Sequence, residues 1–218
     1  NLLIAAHEAK VKRVVYASSS SVYGDSPQLP KVEEIIGNPL SPYAVTKLTN
    51  ELYGQVFAKA YSMEIIGLRY FNVFGPRQNP KGEYAAAIPQ FISSLLQNKA
   101  PEINGDGTQT RDFTFVSNAV QANIKAMFAK NINTDGDVFN VAVGERISLN
   151  DLITLLQKFA GTQLKQIHGK PRLGDVKDSL ADISKAKKIL DYHPDVKIDE
   201  GLKYTLAWFK KQAVAQNY

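Results

Sequence analysis

The sequence contains no cysteine. Disulfides, thiolate nucleophiles and cysteine metal sites are therefore excluded, and a reducing cytoplasm is the compartment expected for the chain. Histidine is scarce. His7, His168 and His193 stand too far apart for metal-ligand spacing, so no metal is expected and all three read as surface or structural positions. No apolar stretch reaches the roughly 20 residues of a membrane span, and no membrane partner is expected. The 26 Lys and Arg exceed the 21 Asp and Glu, for a net charge of +5. These charges are dispersed, and no basic run is interleaved with aromatics. No nucleic-acid partner is expected, while a small anionic ligand is allowed. Also missing is a glycine-rich phosphate turn between a strand and a helix; Gly105 and Gly107 lie in a different setting.

What is present is ordinary globular composition, 44% hydrophobic and 22% charged over 218 residues. Collagen, coiled coil and wholesale disorder are excluded, and the length allows a sizeable core. The chain opens Asn1-Leu2-Leu3-Ile4-Ala5-Ala6, with no charged region ahead of a long apolar core, which is not the pattern of a signal peptide. It reads as the middle of an apolar helix, and hence as a fragment lacking an N-terminal part. The alternative is a chain numbered from a processed start.

Strand and helix patterns alternate. A helix end over Asn1–Ala9 precedes a buried strand at Arg13–Ala17, a serine turn and a proline-containing loop. Ser41 and Pro42 predict a helix start, Ser as cap and Pro at the first position, running to about Tyr61. Glu64–Tyr70 is a second buried strand. Helices are expected over Tyr84–Gln97 and Ser117–Ala129, with strands at Asp112–Val116 and Val138–Val143. Further helices follow over Ser148–Gly161, Asp182–Leu190 and Asp199–Gln212. Strands spaced by helices predict an α/β fold: a Rossmann-like, doubly wound parallel sheet, incomplete at its N-terminal side, with a smaller C-terminal lobe.

The chemistry concentrates in Ser18-Ser19-Ser20-Ser21-Val22-Tyr23-Gly24 and Ser41-Pro42-Tyr43-Ala44-Val45-Thr46-Lys47. Tyr43 and Lys47 are four apart near a helix N-terminus, so they share a face one turn apart. A free phenol titrates near ~10, too high for a base at neutral pH. An ammonium one turn away, with the helix dipole, favours the phenolate. A strand-end serine hydroxyl can complete a proton path to a substrate oxygen, and strand C-terminal ends are where doubly wound sheets take ligands. A Tyr–Lys pair alone also fits a solvated helix face, and serines before a glycine also fit a turn.

Three segments in order, Val15–Asp25, Ser41–Lys47 and Leu68-Arg69-Tyr70-Phe71-Asn72-Val73-Phe74-Gly75, resemble the extended short-chain dehydrogenase/reductase family, and within it the nucleotide-sugar epimerases. The resemblance runs to the C-terminal helix. It implies NAD as cofactor and a UDP-sugar as substrate. Tyr43 matches the catalytic tyrosine, Lys47 the lysine that assists it and holds the nicotinamide ribose, and Ser19 the serine between Tyr43 and the sugar 4-hydroxyl. Tyr70 matches a position whose backbone meets the nicotinamide carboxamide, and Asn72 an asparagine on the substrate diphosphate.

In Ile103–Phe113, Asn104 is implied beside the uracil and Arg111 on diphosphate, a role suited to a planar guanidinium fork. Without the resemblance this segment reads equally as a glycine turn with a surface Arg–Asp pair. Arg172 and Asp175, in Arg172-Leu173-Gly174-Asp175, are implied on phosphate and uridine ribose. Ser179 matches the position that gates the sugar 2-substituent, and its small side chain leaves room for an N-acetyl group. Phe71–Gln78, Tyr84–Pro89 and Ser179–Ala186 also resemble the bacterial N-acetylhexosamine group, in which Ser20, Ser21, Asn72, Gln78, Ala86 and Ser179 would line the sugar pocket. Pro76 departs from that group's pattern, where Arg is frequent.

Related dehydratases and decarboxylases place an acidic residue beside the catalytic hydroxyl. Here that neighbour is Ser20, and no carboxylate lies between Ala17 and Gly24. The resemblance therefore implies reversible C4 epimerisation of a UDP-hexose, UDP-N-acetylglucosamine to UDP-N-acetylgalactosamine. A UDP-glucuronate 4-epimerase is the alternative, opposed by Asn72 and Gln78 where a cationic pocket is expected. A non-catalytic nucleotide-sugar-binding fragment is a third reading. Residues 1–75 are expected to belong to the NAD-binding domain, and 76–218 mainly to a substrate lobe, with about 112–143 returning to the first. Without a glycine-rich turn the chain alone is expected to hold NAD weakly and to leave a sheet edge unfilled. Family members dimerise through two helices, one matching Ser41–Tyr61. A homodimer is expected, with burial of Leu52, Tyr53 and Val56 against the chain's own missing part as the alternative.

Overall fold

The computed structural model describes residues 1–81, 86–130, 132, 136–171 and 176–215. In chain order the elements are α1 (Leu2–Glu8), β1 (Arg13–Ser19), a 3-10 turn (Ser20–Tyr23), α2 (Pro42–Tyr61), β2 (Glu64–Tyr70), β3 (Val73–Phe74), α3 (Ala87–Leu96) and β4 (Glu102–Asn104). There follow β5 (Thr110–Arg111), β6 (Thr114–Phe115), α4 (Val116–Phe128), β7 (Asp137–Val141), β8 (Ile147–Ser148), α5 (Leu149–Ala160), β9 (Ile167–Gly169), α6 (Ser184–Leu190) and α7 (Ile198–Ala215).

The central sheet is parallel, in the order β1-β2-β7. Parallel neighbours need a crossover, and α2 carries the chain from β1 to β2. Ser19 pairs with Tyr70 and Tyr70 with Val141, so the three C-terminal strand ends align at one end of the sheet. β2 is buried on both faces, as a strand covered by helices on two sides must be. On one face Ile65 meets Ala58 of α2 and Met63. On the other, Ile66 and Leu68 meet Ala122 and Ala126 of α4 and Leu190 of α6. Gly67 is required by close approach: a Cβ there would stand 2.6 Å from the Tyr16 hydroxyl oxygen. The α/β architecture read from the sequence is the one observed.

A second core joins α3, α5 and α7 through Ile88, Phe91, Ile92, Leu152, Leu156 and Leu206. Phe74 closes it edge-on against Phe113 and Phe115, at centroid distances of 6.2 and 5.6 Å. Among the described residues no helix is long and apolar enough to cross a membrane.

Two expected strands are shorter than their patterns. Asp112–Val116 reduces to β6, and Val138–Val143 ends at Val141 in β7. One carboxylate explains the second. Asp112 accepts N–H bonds from Val143 and Gly144, each at 3.0 Å, and from Ala181 at 3.3 Å, taking those amides out of any ladder. Helix α3 begins at Ala87 with Pro89 in its first turn, where a missing N–H costs nothing. The expected start at Tyr84 lies outside the described residues.

Candidate active site

Local sequence fixes where α2 starts. The Ser41 Oγ accepts the Ala44 N–H at 3.1 Å and Pro42 fills the first position. Tyr43 is thereby the second helical residue and Lys47 lies one turn on. Lys47 Nζ stands 5.6 Å from the Tyr43 ring centroid and donates to the Ala17 carbonyl of β1 at 3.0 Å. Ser19, two residues beyond, ends the strand, and its Oγ accepts the Ser21 N–H at 3.1 Å, capping the 3-10 turn. The structure thus brings Ser19, Tyr43 and Lys47 to one corner of the sheet. The Tyr43 side of this corner is open: the residue is 55% exposed and its hydroxyl has no partner among the described residues. Among the described residues Lys47 has one acceptor for its three N–H donors.

Behind this corner lies a buried ionic network. Glu51, one turn past Lys47 on the same helix, receives Arg69 of β2 through two bonds of 2.9 and 2.7 Å. Both residues are at most 3% exposed. The Ser18 hydroxyl donates to the same carboxylate. Arg69 also donates to the Tyr23 hydroxyl at 3.0 Å and to the Glu33 carbonyl at 2.9 Å, and Tyr23 in turn donates to Asn140 at 2.7 Å. Burial pushes the Tyr23 phenol up to about 12, so it remains a neutral donor. Glu51 is a carboxylate close to the serine run, yet it serves Arg69 and Ser18.

Beyond Ser19 the serine run lines a cavity of about 210 Å³. Five expected substrate residues, Ser20, Ser21, Asn72, Arg111 and Ser179, share its wall with Lys31. Ser21 Oγ is buried without a partner among the described residues, as is Gln78 Oε1. Asn72 adopts a left-handed φ of +35° and donates its amide to the Asp112 carbonyl at 3.0 Å. Arg111 is braced by the Thr110 and Lys177 carbonyls at 2.8 and 3.1 Å. Asn104 borders a separate cavity of about 320 Å³, and Val176 lines both. Ala86 caps α3, and neither it nor Gln78 lines the serine cavity. Tyr70 ends β2 opposite Ser19; its hydroxyl accepts from Asn123 at 2.7 Å, leaving its backbone at the strand end. Burial raises that phenol above its ordinary value. Arg172 and Asp175 lie outside the described residues.

Sequence reasoning missed Lys31, the Glu51–Arg69 pair and the bolt formed by Asp112. A signal for the pair was present: an arginine within an otherwise apolar strand requires a buried carboxylate, and Glu51 continues the four-residue spacing of Tyr43 and Lys47. Burial, aided by Glu145, pushes the Asp112 carboxyl up to about 6 against the pull of its three N–H donors.

A parallel sheet whose strand ends gather a Tyr–Lys pair and a serine run beside a polar cavity defines a nucleotide-cofactor enzyme architecture, and the chain belongs to the NAD dependent epimerase/dehydratase family, whose model matches residues 1–142. Among its relatives, a putative UDP-glucose 4-epimerase of Methanocaldococcus jannaschii is 38% identical over 211 residues, 96% of this chain and 67% of that protein. A UDP-N-acetylglucosamine 4-epimerase of Methanobrevibacter ruminantium M1, solved with UDP-N-acetylmuramic acid, is 40% identical with a TM-score of 0.92, over 97% of this chain and 67% of that one. A UDP-glucuronic acid 4-epimerase of Bacillus cereus, solved with UDP-glucuronic acid and NAD, is 37% identical with a TM-score of 0.89, over 97% and 65%. The chain spans about two thirds of the length of the curated relatives it matches.

Proposed function

We propose that the protein is a NAD-dependent UDP-hexose 4-epimerase acting between UDP-N-acetylglucosamine and UDP-N-acetylgalactosamine. The observation that carries this reading is the joining of Tyr43, Lys47 and Ser19 at the end of β1, beside a cavity walled by Ser20, Ser21, Asn72, Arg111 and Ser179. Tyr43 and Lys47, with the Tyr70 backbone, fit the nicotinamide-ribose end of NAD, because the Tyr43 hydroxyl and two Lys47 donors have no other partner among the described residues. The sequence carries no glycine-rich helix start for the pyrophosphate. Bound NAD supplies a hydride acceptor, and then a donor, for C4.

Tyr43 acts as the base: its phenolate, beside the Lys47 ammonium, takes the 4-hydroxyl proton through Ser19 and becomes the neutral phenol. The sugar would have to turn its other face toward the cofactor, and Tyr43 and Ser19 would return the proton to the 4-oxygen by the same route. Asn72, Arg111 and Arg172 on diphosphate, Asp175 on ribose and Asn104 by the base retain the nucleotide while the sugar turns. Gln78, Ala86 and Ser179 shape the sugar end, Ser179 leaving room for an acylamino group. Glu51 is tied to Arg69 and Ser18, so it is not free to serve elimination chemistry. The exposed face of α2, with Val45, Leu52, Tyr53 and Val56, suits a homodimer.

Product analysis with UDP-N-acetylglucosamine, UDP-glucose and UDP-glucuronic acid tests the assignment. C4 epimers are expected. A dehydrated 4-keto-6-deoxy sugar, or no turnover of any of the three, overturns it.

A further inference from the structure

A buried polar row crosses the central sheet one residue short of its strand ends. Ser18 of β1 is the register partner of Arg69 of β2, and Arg69 that of Asn140 of β7; all three are buried. One step back along the strands the partners are Ala17, Leu68 and Phe139, all apolar. Polar groups at the next step depart from strands otherwise built for burial, where each such group must find a partner. The row also holds the Glu51–Arg69 ion pair. A buried ion pair adds little net stability over an apolar pair of the same volume. Its place beside the strand ends therefore asks for a role beyond holding the fold.

That role is visible in what the row ties together. Two successive residues of β1 are held by two residues one turn apart on α2: the Ala17 carbonyl accepts from Lys47 at 3.0 Å, and the Ser18 hydroxyl donates to Glu51. Tyr43, Lys47 and Glu51 are spaced by four and lie along one face of that helix. A helix pinned to a strand at two points a turn apart is fixed in both height and roll. The other side of Ser19 is held by the same ion pair. Arg69 forks onto Glu51 at 2.9 and 2.7 Å and donates to the Tyr23 hydroxyl at 3.0 Å, and its guanidinium carbon lies 4.9 Å from the Tyr23 ring centroid. Tyr23 ends the 3-10 turn that Ser19 caps. The residue before Ser19 and the turn after it are thus both tied to Glu51, and Tyr43 is carried on the same helix.

We propose that Ser18 and Tyr23 are positioning residues: acting through the Glu51–Arg69 pair, they fix the separation of Ser19 from Tyr43 at which the proton passes. This inference rests on the 4-epimerase reading and deepens it. Both hydroxyls are engaged inside the protein, Ser18 on Glu51 and Tyr23 between Arg69 and Asn140. They reach the chemistry only through the groups they hold. Proton transfer needs a heavy-atom separation of about 2.6–3.2 Å, and a displacement of about 1 Å can lower a rate about 10²-fold. Asn72, Arg111 and Ser179 stand on other elements, so nucleotide binding is left intact when the row is loosened.

Ser18→Ala and Tyr23→Phe each remove one hydroxyl and leave the Glu51–Arg69 fork in place. C4 inversion of UDP-N-acetylglucosamine by the NAD-loaded protein is followed by NMR, and UDP binding by titration calorimetry. Each variant is expected to lose about 10- to 100-fold in kcat, with KM and UDP affinity within about twofold of wild type. Ser18→Thr keeps the hydroxyl and is expected to recover most of the rate. Ile66→Val, which faces α4 and α6 across β2, is the control for plain loss of stability: a lower urea midpoint with kcat unchanged. Wild-type kcat in either hydroxyl variant, Ser18→Thr as slow as Ser18→Ala, or an equal loss of kcat in Ile66→Val overturns the proposal. A wild type that leaves C4 unchanged refutes the epimerase reading instead. Amide hydrogen exchange over residues 43–51 then decides for the row: faster exchange in Ser18→Ala than in wild type supports it, and equal exchange overturns it.

Discussion

Asp112 shows what burial does to a single carboxyl. It is fully enclosed, accepts three backbone N–H groups, and is moved from 3.8 to about 6. The folded chain therefore binds its proton more tightly than the unfolded chain does. Between about pH 4 and pH 6 the folded state carries more protons, so stability falls as pH rises through that window, by roughly 2–3 kcal/mol, and is level above it. Asp112→Asn removes this titration and turns an amide N–H₂ toward backbone donors. Urea unfolding from pH 4 to pH 7 should show the wild-type advantage over the variant shrinking as pH rises from 4 to 6. At pH 7 the variant should still be about 1–3 kcal/mol less stable, because buried donors lose their acceptor. Parallel stability curves would contradict the assignment. The sequence offered Asp112 only as the neighbour of Arg111, because its three donors come from residues 143, 144 and 181.

Helix α2 carries both the local and the distant information. Its start was legible, since Ser41 and Pro42 act within one turn; Ser41→Ala should cost about 1 kcal/mol in denaturant unfolding. Its seating on the sheet depends on Glu51 and Arg69, which sequence distance conceals. Removing one partner leaves the other charge buried, so Glu51→Ala should cost about 3–5 kcal/mol, whereas Glu51→Leu combined with Arg69→Met should be far milder. If the double variant is as unstable as the single one, shape and not charge sets the cost. The two-residue strands β3, β5 and β8 left no periodicity to read. The longer β1, β2 and β7 did, because their burial imposes continuous apolar runs.

Across the whole molecule, the parallel sheet aligns its strand ends so that residues 19, 43, 47 and 70 converge although they are scattered in sequence. Alternation of strands and helices was enough to foresee that end of the sheet. The cavity beyond it is assembled from residues 20, 31, 72, 111 and 179, and the pattern around Lys31 gave no sign that it joins them. The apolar face of α2 leaves Leu52 and Val56 more than half exposed. For the proposed homodimer, Leu52→Glu with Val56→Glu should shift sedimentation to the monomer; an unchanged dimer would place the interface elsewhere.

The central claim is that Tyr43 moves the proton of the sugar 4-hydroxyl. The direct measurement is the rate at which UDP-N-acetylglucosamine inverts at C4, followed by NMR in wild type and Tyr43→Phe. The wild type should yield both epimers, and the variant should lose about 10²–10⁴ in kcat with KM little changed. A phenylalanine variant that inverts C4 at the wild-type rate would contradict the account.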